Sequence, residues 1–390
     1  MKKNINTLLS TLALFALSFP GAALAESASP WPNSFSLETG ITMVTQNTMG
    51  NNPEGYKDTM DYSFSADVIL TAKIDETQDL VFVLEAGDGH SVNDNITGNR
   101  ANVNYDAYIT QTEGMTRLNI SQAYYQSRLM GEKLLFAVGK MDVHSLTDGN
   151  QFAGDETSQF LNNLFVRSSG VVFHELANYY APTILLEFTP VPFLTFTATY
   201  ASPDGYDIIE RRHIVVEMAL HTQIGEGDGN YRFGFMMDTG EYTKIGAATT
   251  AATDTTTDAP AEPAPIDTST GFYVSVDQGF GAMFGVFGRY VQMDNTFVQN
   301  EVISAISGGI SINNLLGNEG NSIGVGYGLL EVNTDVVKEY YEGMDVLEAY
   351  VRFGVSEHST LTLDFQMLND LERGGKRTVT VGGLRFQTNL

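Results

Sequence analysis

The 390-residue chain contains no cysteine, and it carries only 21 lysine and arginine residues against 47 aspartates and glutamates. A chain of this length without cysteine is not a scaffold held together by disulfides. The formal net charge of −26 excludes nucleic-acid binding, because phosphate contacts need a basic surface. After residue 25 no apolar run approaches the ~20 residues that a membrane-spanning helix requires. The function must therefore be sought in the pattern of the remaining residues.

The first 25 residues are expected to be a secretory signal peptide. Lys2 and Lys3 precede an apolar segment at 8–19, and Ala23-Leu24-Ala25 supplies a small-x-small cleavage pattern. The apolar segment is too short to span a membrane as a helix. We predict export, cleavage after Ala25 and a single mature domain over 26–390.

Apolar and polar residues alternate in short segments along the rest of the chain. In one of them Leu194, Phe196 and Tyr200 share a face, and threonines occupy the other. Successive side chains of a strand point to opposite faces, so each segment has an apolar and a polar side. The 38 glycines, 23 phenylalanines and 18 tyrosines suit short tilted strands with aromatic belts. Near Gly382 and Gly383 the alternation changes phase, which indicates a bulge.

The lengths of the connections distinguish a membrane barrel from a soluble sandwich, which has the same two-residue period. The longest connections, at 47–59, 89–115, 143–177, 242–269 and 333–343, all follow odd-numbered strands. Such alternation is typical of outer-membrane barrels with short periplasmic turns and long external loops. We predict an all-β fold, a closed transmembrane antiparallel β-barrel of about 16 strands. The strands are expected at 34–46, 60–74, 78–88, 116–130, 132–142, 178–189, 192–202, 211–224, 229–241, 270–280, 282–293, 300–313, 321–332, 344–356, 358–369 and 375–388.

The most specific motif begins at the end of the fifth predicted strand. It comprises Gly139-Lys-Met-Asp142, then Phe152-Ala-Gly-Asp-Glu156 and Gln159-Phe-Leu-Asn162. This segment resembles the signature of the carbohydrate-selective (OprB-type) outer-membrane porins. The resemblance implies a loop that folds into the pore, sets its width and selects the solute, with sugars as the expected class.

The connection at 143–177 is accordingly the expected constriction. Asp155 and Glu156 suit the N-terminus of a short helix that would place Phe160 and Leu164 on the barrel wall. Amide side chains on its other side would face water, and as donors and acceptors they match sugar hydroxyls. These amides are Gln159, Asn162 and Asn163.

The expected solute-contacting set also includes residues at the strand exit. An alternative is that the acidic residues Asp148, Asp155 and Glu156 only cap and fold the loop. The full set is Lys140, Asp142, Asp148, Asn150, Asp155, Glu156, Gln159, Asn162 and Asn163.

Charged residues on the polar faces of the strands are expected to lie in the lumen. An arginine on the lipid face near the midplane would cost ~2–4 kcal/mol, so the phase of these residues supports the strand register. A mixed, acid-leaning lumen predicts a weak preference for cations and tolerance of neutral polyols. The charges singled out are Arg232, Arg289, Arg352 and Glu217, together with Glu38, Asp67, Glu85, Glu187, Asp277 and Asp364.

An enzymatic function finds little support in the sequence. Gly320-Asn-Ser322-Ile-Gly324 matches a nucleophile motif, but it enters a strand where that motif requires a turn into a helix. The six histidines show no close ligand spacing. We therefore expect no catalytic residue, no metal and no cofactor.

The sequence predicts a porin in the outer membrane of a Gram-negative bacterium, which passes small hydrophilic solutes and contacts lipid and lipopolysaccharide. A general or weakly cation-preferring small-solute porin is the alternative, and a barrel-embedded hydrolase or adhesin is a distant one. The sequence does not distinguish a monomer from a homotrimer. The Thr/Ala/Pro-rich segment at 243–270 is expected to be a low-complexity external loop.

Overall fold

The computed structural model describes residues 34–50, 57–96, 100–112, 114, 116–168, 180–203, 205, 209–246, 265–337, 343–369 and 377–390. The predicted signal peptide at 1–25 lies outside these residues, as does the greater part of the predicted low-complexity loop, 247–264. Within the described ranges no helix is both long enough and apolar enough to cross a membrane.

Sixteen antiparallel strands among the described residues close into one barrel. Each strand pairs with its neighbours in sequence, and β1 pairs with β16 to complete the cylinder. Closure leaves no edge, so the sheet satisfies its own backbone hydrogen bonds in lipid. The predicted sixteen-stranded antiparallel barrel is confirmed. The strands are β1 (Phe35–Met49), β2 (Met60–Lys73), β3 (Gln78–Asp88), β4 (Asn119–Leu129), β5 (Leu134–Asp142), β6 (Tyr180–Val191), β7 (Leu194–Ala201), β8 (Arg212–Ile224), β9 (Gly227–Glu241), β10 (Ile266–Phe280), β11 (Phe284–Met293), β12 (Val302–Asn313), β13 (Ser322–Val332), β14 (Gly343–Gly354), β15 (Ser359–Asn369) and β16 (Thr378–Asn389).

The two faces of the sheet differ as the alternation predicts. On β9, Phe233 and Phe235 are exposed on the outer surface, while Arg232, which precedes Phe233, lies in the lumen and pairs with Asp277. The same alternation of exposed and buried positions runs along β8 and β13. An apolar outer band with a polar interior is the arrangement a barrel needs in a bilayer.

Two of the long connections fold into the barrel. The upstream loop, residues 89–96 and 100–112, contains a 3-10 turn at Asn93–Asn95 and helix α1 (Tyr105–Thr112). The constriction loop, residues 143–168, contains a 3-10 turn at Val143–Ser145 and helix α2 (Asn163–Val166). Together with lumen-facing apolar residues they form a hydrophobic core inside the barrel. This core includes Val92, Val103, Tyr105, Phe160, Leu164, Phe165, Phe287, Tyr350, Leu368, Val379 and Val381.

The bulge predicted near Gly382 and Gly383 is wrong. The register of β16 with both of its neighbours runs through this pair without a shift. Val379 and Val381 lie fully buried in the core that the two loops complete. Apolar residues on the lumen phase therefore need no change of phase, because the loops and not water cover them.

Candidate pore constriction

Arg289 of β11 fastens both ends of the constriction loop to the barrel wall. Its Nε donates to Asp148 Oδ1 over 3.3 Å, and its Nη1 donates to the carbonyls of Ala153 (2.6 Å) and Phe165. The second carboxylate oxygen of Asp148 accepts from the Ser168 backbone N–H at 2.5 Å. Burying an ion pair is tolerable when its remaining donors and acceptors are satisfied, and here the loop backbone satisfies them.

Two further arginines hold the middle of the loop. Arg385 of β16 donates to the carbonyls of Glu156 and Gln159, each at 2.7 Å. Arg352 of β14 donates to the carbonyl of Ser158 at 3.3 Å. A planar guanidinium with several fixed N–H groups suits such paired acceptors. Arg289, Arg352 and Arg385 thus hold the constriction loop by its backbone carbonyls.

Glu348 of β14 and Gln366 of β15 form hydrogen bonds with the constriction loop. The Glu348 carboxylate accepts from the backbone N–H groups of Leu161 (2.6 Å) and Asn162 (3.0 Å). Gln366 accepts from Asn162 Nδ2 at 3.1 Å and donates to the carbonyl of Val103 at 2.8 Å. The amide of Gln366 therefore connects the wall with both inner loops.

An aromatic cluster seats the loop against β11, β13 and β14. The Phe160 ring lies 5.1 Å from Phe165, 5.3 Å from Phe287 and 5.1 Å from Tyr350, edge-on to the last. These distances are typical of favourable aromatic pairs. A Cβ added at Gly326 of β13 would stand 2.9 Å from Phe165 and 3.0 Å from Phe160, so the glycine provides the space that the rings fill.

The upstream loop docks on the opposite part of the wall. Asn104 Nδ2 donates to Ser63 Oγ of β2, and Ser65 Oγ donates to Asp106 Oδ2, both at 2.9 Å. The Asn104 side chain also accepts from the Ala107 backbone N–H and so supports the first turn of α1. The helix is thereby fixed across the lumen side of β2 and β3.

The two inner loops are hydrogen-bonded to each other through their backbones. The Tyr105 N–H donates to the Leu161 carbonyl at 2.9 Å, and the Asn163 N–H donates to the Asn102 carbonyl at 3.1 Å. Backbone pairing of this kind fixes one loop relative to the other, whatever their side chains. The narrowing is thus a single unit built from two connections.

Carboxylates gather where the two loops face β2, β3 and β5. Asp67 interacts electrostatically with Glu85, Asp106 and Glu156, and Glu85 also interacts with Asp142. All five side chains are partly exposed. We call these five residues the acidic eyelet.

A hydroxyl donor, Tyr180, and a positive charge, Arg167, adjoin the acidic eyelet. The Tyr180 hydroxyl donates to Glu85 at 2.7 Å. Arg167 interacts electrostatically with Glu156 and Asp142. The five carboxylates are therefore only partly balanced by Arg167.

Packing alters the ionisation of the two eyelet carboxyls that lie on the loops. Burial raises the pKa of Glu156 to about 7, although Arg167 opposes the rise. Burial also raises the pKa of Asp106 to about 6, against the opposing effects of the Ser65 hydrogen bond and the Arg385 charge. The charge of the acidic eyelet thus depends on pH in the neutral to mildly acidic range.

A vestibule lies on the periplasmic side of the constriction loop. Cavities of about 730 and 470 Å³ share Asp155, His358, Gln387 and Asn389 in their walls. The second cavity shares Ile69 with a third, of about 430 Å³, on the inner face of β2 to β4. The three cavities therefore adjoin one another below the loop.

Four residues expected to contact solute are buried in the structure. Asp148 and Asn150 anchor the loop: Asp148 pairs with Arg289, and Asn150 Nδ2 donates to the Val276 carbonyl at 3.1 Å. The expectation that Asn162 and Asn163 face water is corrected, because both are fully buried. Their donors and acceptors are directed at the wall, at α2 and at the upstream loop.

The other expected residues are at least partly accessible. Asp142 and Glu156 belong to the acidic eyelet, and Asp155 lines the vestibule. Gln159 is used inside its own loop, where it accepts from the N–H groups of Gly154 and Asp155. Lys140 is exposed at the outer end of β5, with Nζ 5.9 Å from the centre of the Tyr180 ring.

The lumen charges take different positions. Arg289 and Glu217 are buried, and Glu217 accepts from the Asp148 backbone N–H at 2.8 Å. Arg232 pairs with Asp277 at 2.8 Å and lies 4.0 Å from Glu217. Arg352 is partly exposed and borders the vestibule.

Sequence reasoning missed the upstream loop and two of the anchors, Arg385 and Glu348. A signal for the loop was present, since its apolar residues Val92, Val103 and Tyr105 would be unusual in a loop surrounded by water. Arg385 and Glu348 each stand between apolar neighbours in a strand, as any lumen residue does. Nothing in the sequence distinguishes an anchor from a pore-lining charge. Within the described part of the chain, no three His, Asp or Glu side chains are placed to hold a metal.

Solved structures with the same fold are outer-membrane proteins. The high-pH structure of Pseudomonas putida OprB superposes with a TM-score of 0.74 at 14% identity, covering 91% of this chain and 94% of that one. The outer-membrane channel DcaP of Acinetobacter baumannii gives 0.57 at 10% identity, with 91% and 97% covered. The trimer form of Vibrio cholerae OmpT gives 0.52 at 13% identity, with 92% and 100% covered.

No curated protein sequence matches this chain at a significant level. Residues 52–390 match the family described as carbohydrate-selective porin, OprB family. This match spans both inner loops and all strands after β1. The chain belongs to the carbohydrate-selective porins of the OprB family, which are channels of the Gram-negative outer membrane.

Proposed function

We propose that the protein is a passive diffusion channel for small neutral carbohydrates. The observation that carries this proposal is the narrowing built from two loops. A barrel of sixteen strands would otherwise leave a wide aqueous channel. Here the upstream and constriction loops bind each other and the wall, and the partly exposed carboxylates of the acidic eyelet lie where these loops face β2, β3 and β5.

The charge distribution favours neutral solutes over anions. Arg289 and Arg385 are buried and donate to loop carbonyls, so they present little positive charge to a solute. The eyelet carboxylates are partly exposed. Sugar hydroxyls can donate to such carboxylates, whereas a phosphorylated or carboxylated solute is repelled. The same feature supports the second candidate, a general pore with a weak preference for cations.

Swelling of liposomes that contain the purified full-length protein tests the proposal. Glucose and maltose are expected to enter faster than into protein-free vesicles, and glucose 6-phosphate much more slowly than glucose. Equal entry of neutral and anionic sugars would contradict the charge argument. No swelling with any sugar would contradict the channel itself.

The surroundings and assembly form part of the same proposal. The exposed rings of the outer band, such as Phe233 and Phe235, suit contact with lipid, and the external ends of the strands suit contact with lipopolysaccharide. A monomer and a homotrimer both fit a channel that is complete in one chain. Light scattering of the detergent-solubilised protein separates these masses. We expect no hydrolase activity, which an esterase assay on the same sample checks.

A further inference from the structure

The inner face of β2, β3 and β4 carries an uncovered patch with apolar side chains. The cavity of about 430 Å³ there is lined by the partly exposed Ile69 and Tyr124 and by the buried Val81, among polar and charged neighbours. Elsewhere, apolar residues of the lumen phase are packed beneath the inner loops. No described residue of either loop lines this cavity. Ile69 and Tyr124 are partly exposed toward the cavity, so a ligand there would remove apolar surface from water.

The cavity opens toward the periplasmic end of the barrel. Glu76 and Glu132, which belong to the short turns 74–77 and 130–133, form its lower border. Ile69 forms its upper border and also lines the vestibule, two positions along β2 from Asp67 of the acidic eyelet. A solute that has passed the eyelet therefore meets this wall before it leaves the channel.

Tyr124 is supported on one side and faces the cavity on another. Its side chain packs against the small cluster of Ala137, Met141 and Leu185 on β5 and β6. The residue opposite it on β5 is Gly139, with a φ of +148°. A Cβ at Gly139 would stand 2.7 Å from Tyr124 Cβ, so the glycine of the family motif leaves room for the tyrosine.

Polar groups beside the ring are held in fixed positions. Asp79 Oδ2 accepts from Gln126 Nε2 and from Arg128 Nη1, both at 2.9 Å. Asp79 is buried, and one carboxylate oxygen therefore orients two side chains that line the cavity. Asp79 and Arg128 neutralise each other, and the other charged lining residues are Lys73, Glu76 and Glu132, so the wall does not favour an anion.

We propose that this cavity is a binding subsite for one ring of a neutral sugar, occupied after the solute passes the eyelet. The inference rests on the proposed carbohydrate function and names where the channel holds its solute. The C–H face of a sugar ring would pack on Tyr124 and Ile69, and its hydroxyls would bond to Gln126 and Arg128. The volume of about 430 Å³ falls in the range of small-molecule sites.

Sugar block of the ion current in planar bilayers tests the subsite. Wild-type protein, Tyr124→Ala and the matched control Tyr124→Phe are reconstituted, and glucose or maltose is titrated on both sides. The half-blocking concentration is expected to rise about 2- to 10-fold in Tyr124→Ala, the equivalent of one lost aromatic contact. It should stay within about twofold in Tyr124→Phe, because the ring remains. Conductance without sugar is recorded for each variant as the reference for its block.

Each outcome decides one question. A Tyr124→Ala channel blocked at wild-type sugar concentrations overturns the subsite, and so does equal weakening in Tyr124→Phe. If Tyr124→Ala fails to show heat-modifiable gel mobility, Gln126→Ala takes its place, with weaker block supporting the site and unchanged block overturning it. A wild-type channel that passes sugar without saturable block overturns the subsite alone. A wild-type protein impermeable to sugar overturns the proposed function as well.

Discussion

Arg289 Nε and Asp148 Oδ1 lie 3.3 Å apart inside the barrel, and each side chain is only 2% exposed. The pair joins a strand of the wall to the start of the constriction loop. The same guanidinium also reaches the Phe165 carbonyl near the end of the loop. One residue thus determines where both ends of the loop lie.

Arg289→Ala is expected to release the constriction loop. The substitution leaves Asp148 buried without its partner, which costs ~3–5 kcal/mol. Single-channel conductance should rise, with flicker between levels. The matched control is Arg211→Ala at the external end of β8, where Arg211 pairs with Glu241 on the surface and contributes ~1 kcal/mol or less. Unchanged conductance in Arg289→Ala would refute the anchoring role.

A methyl group at Gly326 is expected to displace the aromatic cluster of the loop. The added Cβ would lie 2.9 Å from the Phe165 ring, closer than real contacts allow, and 3.0 Å from the Phe160 ring, so the rings must shift. Overpacking of this kind costs ~1–3 kcal/mol. Gly382→Ala on β16 is the control, because its Cβ finds its nearest neighbour, Met49, at 3.9 Å. Gly326→Ala should lower the thermal unfolding midpoint and change conductance. Equal effects of the two substitutions would contradict the packing of the Phe160 and Phe165 rings on Gly326.

Cation selectivity is expected to fall as the pH is lowered from 8 to 5. Carboxyl groups carry charge only above their pKa, which is about 7 for Glu156 and about 6 for Asp106. Acidification therefore removes negative charge from the acidic eyelet in this window. The reversal potential across a KCl gradient measures the effect. Glu156→Gln should abolish the part of the change near pH 7, and a reversal potential that does not vary with pH would contradict the assignment.

Gln366→Leu is expected to loosen both inner loops together. The amide of Gln366 binds Asn162 in one loop and the Val103 carbonyl in the other, and leaving buried partners unmatched costs ~1–3 kcal/mol each. Hydrogen exchange should accelerate at Tyr105 and Asn163, whose N–H groups bridge the loops. Gln292→Leu is the control, since that amide bonds to Met293 and Ile303 in the wall. Faster exchange in only one loop would show that the loops are independent.

The barrel could be predicted from the sequence because one physical constraint acts on every strand. Lipid outside and water inside impose the period of two seen at Phe233 and Arg232, and the long connections mark the external side. Where the inner loops fill the lumen, the inner face of a strand no longer meets water and can be apolar. Val379 and Val381 face inward and are apolar, which the alternation alone misread as a bulge.

The location of the constriction was also predictable, but not the part played by each polar side chain. Asp148, Asn162 and Asn163 have the chemistry to bind a sugar, and the same chemistry fastens a loop to a wall. Which use applies depends on partners such as Arg289 and Gln366, more than 120 residues away in the chain. Spacing within the motif does not encode such partners.

The conductance of a channel without the constriction loop tests the account most directly. Residues 148–165 would be replaced by a short Gly-Ser linker, and folding checked by heat-modifiable gel mobility. Because sixteen strands alone enclose a wide aqueous channel, the account predicts a several-fold rise in single-channel conductance and loss of sugar block. A folded variant with the conductance and sugar block of the wild-type protein would contradict it.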